Sequence, residues 1–403
     1  MTKVHHVVEE HRLLDDSLRP VWMLLFYNGF HTKMYRSTKE ELVLYITGFI
    51  FTIFVILMLL VYMAHLIIQP LFFGSRIIVL HKVMILYRIV SSSSAAFFLC
   101  YHFIYQQEIF QFLKHWEEIE ARYLTHFDGT KKKLKIIMYG VYLPMLVFAP
   151  ITTFNWNLKD PRHVVFFSIY PIFESWNIYL FPSISAFIAY FTQLHYFVGE
   201  IVPALFFYHV GCVIVDLKRE LQDNDFNSRL PDRILISSLY LQFRNEKPFR
   251  QIWEKYETIL QCVGQGNKLF QSVILCHQFS GFAFLSIGVY AITVVPDRSL
   301  SFSFMATTIM VMLRFIGVNW LMSHPYLSCG ELETAVTDLL SKKWDSLAEE
   351  DRQFFTAFQE RLSNANMAAI PFNLYTITPY NLLSVLSLII TYAIVLFQSH
   401  VPT

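Results

Sequence analysis

Near its C-terminus the chain reads Thr376-Ile377-Thr378-Pro379-Tyr380-Asn381-Leu382-Leu383-Ser384-Val385-Leu386-Ser387-Leu388-Ile389-Ile390-Thr391-Tyr392-Ala393-Ile394-Val395-Leu396-Phe397-Gln398. From Leu362 to Thr403 there is no Asp, Glu, Lys or Arg. About 20 apolar residues carry a helix across the hydrocarbon core of a bilayer, so 376–397 reads as a membrane span. The breaker segment Ala369-Ile370-Pro371-Phe372-Asn373 precedes it. Ser384, Thr391, Val395 and Gln398 recur at helical spacings that set them roughly on one face. Such a stripe can line a pore, or it can pack small side chains against a neighbouring helix. Spacing alone leaves both open.

Upstream of this stretch the composition points the same way. Of 403 residues, 55% are hydrophobic, 17% aromatic and only 16% charged, against about 25% charged in a soluble domain. The chain is therefore all-α and polytopic in the membrane. A formal net charge of +1 gives nucleic acid no purchase. No secretory signal peptide is expected, because 1–41 is polar and the first apolar run is too long for an h-region. The five cysteines (Cys100, Cys212, Cys262, Cys276, Cys329) fall in or near spans or on the cytosolic side, so no disulfide framework is expected.

Seven spans are predicted. The first is 42–65. The second, 83–105, contains Arg88 and the run Ser91-Ser92-Ser93-Ser94. The third is 136–154. The fourth starts near 175, and Glu200 is its only charge before 215; it is too long for the bilayer, and so projects into the cytosol or bends at Pro182 or Pro203. The fifth, 270–295, continues from a helical stretch over 249–263. A tight turn at Pro296-Asp297-Arg298 leads to the sixth, 300–322, which contains Arg314. A cytosolic helix follows, with a capping box of Ser346 and Glu349 and an apolar stripe of Leu347, Phe355, Phe358 and Leu362. The last span is 376–397. The whole chain, 1–403, reads as one domain, with cytosolic helical extensions over about 206–268 and 331–366.

The Lys/Arg bias sets the orientation. With the N-terminus cytosolic, inner segments hold 24 Lys/Arg and outer segments 5. Without the longest loop the split is still 15 to 5. The N-terminus is expected in the cytosol and the C-terminus outside, opposite to a G-protein-coupled receptor.

Charges at membrane depth are costly and usually face a bundle interior or a water-filled cavity. Arg88 lies near the outer end of its span, where it either snorkels or meets a ligand. Arg314 lies deeper, with Glu200 as a candidate partner. Ser91 and its neighbours either permit close helix packing or hydrogen-bond a ligand. Tyr170, Glu174, Trp176 and Tyr179 stand where the fourth span meets the outer surface, as an interfacial aromatic belt or as pocket walls. The histidines form no metal-spaced box and no phosphate-cradling glycine loop occurs, so neither an enzyme nor a cofactor or metal site is expected.

Thr391-Tyr392, five hydrophobic residues (Ala393 to Phe397) and Gln398 resemble the TYhhhhhQF signature of insect gustatory receptors, which closes their last helix. Ser399 stands where the family has Phe. The resemblance extends to the seven spans, the inverted topology and the short outer turn before the sixth. It implies a ligand-gated, non-selective cation channel in the plasma membrane of sensory neurons, opened by a small-molecule tastant. It also implies a tetramer, homomeric or shared with related receptors, set in membrane lipid. The last helix would line a central pore, with Thr391, Val395, Gln398 and Ser399 at the gate. The cytosolic helix ends would pack into an anchor, and ligands would enter a pocket in the outer halves of the second to sixth helices. The insect odorant receptors belong to the same superfamily and are the nearest alternative. A G-protein-coupled receptor fits neither the charge bias nor the absence of an acidic-Arg-aromatic triplet after the third span. A secondary transporter would call for inverted repeats, and none is visible.

Overall fold

The computed structural model describes residues 39–73, 79–123, 147, 151, 180–227, 248–294, 298–345, 347 and 349–398. All of the expected third span but 147 and 151, the residues Tyr170, Glu174, Trp176 and Tyr179, the capping Ser346, Ser399 and both chain termini lie outside them. Among the described residues there is no strand. The elements are α1 (Lys39–Phe73), α2 (Val79–Tyr123), α3 (Leu180–Asn227), α4 (Pro248–Val294), α5 (Arg298–Lys343), α6 (Glu349–Asn364) and α7 (Pro379–Gln398).

Helices α2 to α5 are each about 70 Å long at 1.5 Å per residue, more than twice the hydrocarbon core. In α3 to α5, each with an apolar stretch long enough to cross a membrane, a membrane segment therefore joins a projecting one. The fourth predicted span does so as one continuous helix, with Pro203 inside it. The stretch 249–263 runs unbroken into the fifth span. Two boundaries differ from the sequence reading. Segment 106–123, charged enough to read as a connection, continues α2, because Ile109, Leu113, Trp116 and Ile119 form a buried stripe at helical spacing. The sixth span does not stop at 322 but passes Pro325 to Lys343.

Helix α3 is the centre of the bundle, touched by α1, α2, α4 and α5. Its core stretch is almost wholly buried, with every residue from 199 to 214 enclosed. Ile201, Val202, Leu205, Phe206, Val210 and Val213 leave no polar face, which is the pattern of a helix surrounded by protein. By contrast α1 exposes Ile50, Leu57, Val61 and Ile67, an outward apolar face suited to lipid. Among the described residues, four helices are long and apolar enough to cross a membrane: Phe49–Ile68, Ala186–Gln222, Arg250–Ile292 and Met305–Lys342. The chain is a multi-pass membrane protein.

The projecting halves of α4 and α5 pack with α6 at one end of the bundle. Phe355, Phe358 and Leu362 of α6 are buried, as their spacing predicts. Phe358 meets the Trp253 ring at 5.3 Å and Tyr256 edge-on at 5.5 Å. Ion pairs gather at this end: Lys218–Glu331 at 2.9 Å, Lys255–Glu220 at 2.7 Å, and Arg361 bidentate on Glu257 at 2.7 and 3.0 Å.

Between α6 and α7 the chain reverses. Ile377 N–H donates to the Ala369 carbonyl at 2.9 Å and Leu374 N–H to that of Pro371 at 3.0 Å. The two residues inside the turn, Phe372 (φ 51°) and Asn373 (φ 56°), are left-handed. Such a turn favours Asn-Gly. A bulky residue there costs roughly 1–2 kcal/mol.

Candidate functional site

Two features stand out: a polar core buried between α3, α4 and α5, and the uncharged terminal helix α7.

The core starts at Glu200, the lone charge in its span. In the folded bundle it has two partners. Arg314 Nε of α5 lies 3.0 Å from Glu200 Oε1, and His277 Nδ1 of α4 lies 2.7 Å from Oε2. All three side chains are buried. The Arg314 guanidinium also donates from Nη1 to Gln193 Oε1 at 3.3 Å and lies 4.0 Å over the Tyr196 ring. That is close enough for a cation–π contact. The Tyr196 hydroxyl is hydrogen-bonded to Ser280.

From His277 the chain of bonds continues. Its Nε2 lies 3.3 Å from Asn319 Nδ2, which also donates to the Phe315 carbonyl at 2.8 Å. Asn319 Oδ1 accepts from Gln278. One hydrogen-bond assignment satisfies this pattern: His277 protonated at Nδ1, giving to Glu200, and accepting at Nε2 from Asn319. The pair Arg314–Glu200 then cancels in charge, and a single polar chain runs Arg314, Glu200, His277, Asn319, Gln278 across three helices. Gly281 lets α4 approach α5 closely, since a Cβ there would stand 2.3 Å from the Phe315 ring. That ring stacks on His277 at 5.3 Å.

Among the remaining candidates, Arg88 is half-buried on α2 and Ser91 is buried one turn further on. Tyr87 lies within electrostatic reach of both Arg88 and Arg314. Its ring packs on Phe284 at 4.9 Å. Ser91, Ser92 and Ser94 are buried and Ser93 is exposed, so most of the serine run sits at a helix contact.

On α7, Thr391, Val395 and Gln398 follow at i, i+4 and i+7 and are all exposed in the single chain, Val395 at 54%. The hydroxyls of Ser384 and Thr391 donate back to their own helix, to the Tyr380 and Ser387 carbonyls at 3.1 and 2.9 Å. The other side of α7 leans on α4, where Phe282 and Tyr392 lie 6.4 Å apart.

His277, Asn319 and Gln278 were not singled out by sequence reasoning. Their signal was polar side chains inside otherwise apolar spans, visible only once the neighbouring helices are known. A second buried pair, Glu120 with His209, joins α2 to α3. The five cysteines carry free thiols.

No protein-family model and no curated protein matches the chain. Among solved structures it is similar to the insect olfactory receptor OR5 of Machilis hrabei. The TM-score is 0.63 at 11% identity, over 95% of this chain and 98% of the other. It is also similar to the same receptor in complex with eugenol, with a TM-score of 0.61 at 12% identity and the same coverage. These relatives in shape are receptors, not enzymes. At such low identity the likeness is one of architecture, and the architecture of this chain is the insect olfactory receptor fold.

Proposed function

We propose that the chain is a gustatory receptor: a subunit of a ligand-gated, non-selective cation channel opened by a small-molecule tastant. The observation that carries this reading is α7. It is an uncharged, membrane-length terminal helix ending in Thr391-Tyr392 and Gln398, with Thr391, Val395 and Gln398 exposed along one face. A helix left so open in one chain suits an axis shared by several copies, four in this reading, alike or mixed with related receptors. The olfactory receptor fold supports the same reading.

In this arrangement the chain crosses the plasma membrane of a sensory neuron seven times, with the N-terminus cytosolic and the C-terminus outside. The projecting parts of 206–268 and 331–366 form the anchor around the axis. Tyr170, Glu174, Trp176 and Tyr179, with Arg88, Ser91 and Arg314, contribute to an outward pocket. Ligand binds the open arrangement better and shifts the equilibrium toward it. An apolar ring at Val395 blocks ions by dewetting, and the Gln398 amides replace part of an ion's hydration shell. Ser399, in place of an aromatic residue, leaves closure to rest more on Val395.

An odorant-type channel is the second reading, favoured by the similarity to a receptor solved with eugenol. One experiment separates the two. The chain is expressed in oocytes and challenged with sugars, bitter compounds and volatile phenols such as eugenol. Cation current to soluble tastants supports the first reading, and current to volatiles alone supports the second. A well-expressed chain silent to the whole panel, alone and with related receptors, counts against both.

A further inference from the structure

The segment joining α6 to α7 is held from one side by a single side chain. Asn267 of α4 donates from Nδ2 to the Ala368 carbonyl at 3.0 Å and accepts at Oδ1 from the Ile370 N–H at 2.8 Å. An amide that bonds the carbonyl of one residue and the N–H of the residue two further on imitates a neighbouring β-strand. From the other side Ile377 bonds the Ala369 carbonyl. Met367, Ala368 and Ala369 between them are buried. The extended segment is thus clamped on both edges, just before the left-handed turn at Phe372 and Asn373. A strained turn persists only where its surroundings over-determine it.

Asn267 has a second distinction, its place on α4. Gln278 lies eleven residues further along and Phe282 fifteen, close to three and four helical turns, so the three share a face. Phe282 touches Tyr392 of α7, and Gln278 ends the polar chain from Glu200 and Arg314. One stripe of α4 therefore contacts the polar core, α7 at Tyr392 and the segment that leads into α7. We infer that Asn267 is a positioning residue for the pore helix: it ties the start of α7 to α4, so that a shift of α4 in the bundle re-aims α7. The inference rests on the channel reading above and adds the residue through which gating is transmitted.

The test has two arms. In purified full-length protein, hydrogen exchange is followed across 366–378 in wild type, Asn267→Ala and Asn267→Asp. Asp keeps an acceptor for the Ile370 N–H but sets an oxygen against the Ala368 carbonyl, so it should lie between the other two. Two neutral hydrogen bonds together are worth roughly tenfold in an equilibrium constant, and exchange at Ile370 should quicken by about that factor in Asn267→Ala. In oocytes, with surface expression measured, spontaneous current per surface channel should rise by about the same factor, while the relative permeability to sodium, potassium and calcium stays as in wild type. A purely structural role would reduce surface expression and leave current per channel unchanged; that result overturns the inference. So does unaltered exchange at Ile370. A chain carrying no current in any of the three forms, with the ligand panel applied, fails the channel reading and this inference with it. The exchange arm then still reports whether the clasp exists.

Discussion

Arg314 of α5 and Glu200 of α3 form an ion pair at 3.0 Å in which neither side chain is more than 4% exposed. Removing one partner of such a pair strands the other charge in a low-dielectric interior, at about 3–5 kcal/mol. Arg314→Leu should therefore sharply lower the melting temperature of the solubilised protein and its surface expression. Removing both charges, as Glu200→Gln with Arg314→Met, should recover most of the loss. Arg314→Lys should recover less, because a point charge lacks the planar group over Tyr196 and the reach to Gln193. A fully stable, normally responsive Arg314→Leu protein would show that the pair is idle.

The orientation is checked by an epitope tag after Thr403. Antibody should reach it on intact cells and should reach an N-terminal tag only after permeabilisation. The reverse pattern would invert every assignment of pocket and anchor.

In the channel reading proposed above, Val395→Ser should hydrate the constriction and raise ligand-independent current. Ser399→Phe should lower any basal leak, and Gln398→Glu should raise calcium permeability relative to sodium. Reversal potentials and leak currents measure all three. Should these variants instead lose expression with permeation unchanged, the residues pack between helices and the pore lies elsewhere.

Two contacts that hold α6 on α4 should differ widely in weight. Phe358 is buried against Trp253 and Tyr256, and its loss to Ala should cost about 3–5 kcal/mol. The Arg361–Glu257 pair is solvent-facing, and Arg361→Ala should cost about 1 kcal/mol or less. Thermal stability of the two variants gives the comparison.

At the left-handed turn, Phe372→Gly should remove backbone strain of roughly 1 kcal/mol and raise the melting temperature slightly. The Phe372 ring is 46% exposed, so little packing is lost. A β-branched residue there should do the opposite. If Gly destabilises, the ring itself has a partner.

The long helices were legible because apolar runs at helical period leave few alternatives. Residues 376–397 read as a span that the structure forms as Pro379–Gln398, and of the apolar stripe Leu347, Phe355, Phe358 and Leu362 the last three are buried on α6 while Leu347 precedes it. The continuation of α2 to Tyr123 was obscured because its exposed face carries the charges that suggested a loop. Arg314 and Glu200 could be nominated singly, since charge in a span is conspicuous. The partnership with His277 and Asn319 was not readable, because 77 residues separate Glu200 from His277 in the chain and only helix packing brings them together. The Asn267 clasp was hidden for a related reason: its partners are backbone groups, which have no sequence signature.

The cancelled charge of Glu200 and Arg314 has an electrical consequence. A membrane potential works on gating only through charge that moves, at about 2.3 kcal/mol per elementary charge per 100 mV. If opening moves the polar core, that core moves as a neutral unit, and α7 contains no charged residue at all. A rearrangement confined to these parts transfers almost no charge across the field. Opening should then be nearly independent of voltage, so that the current reports the concentration of the stimulus whether the cell is at rest or already depolarised.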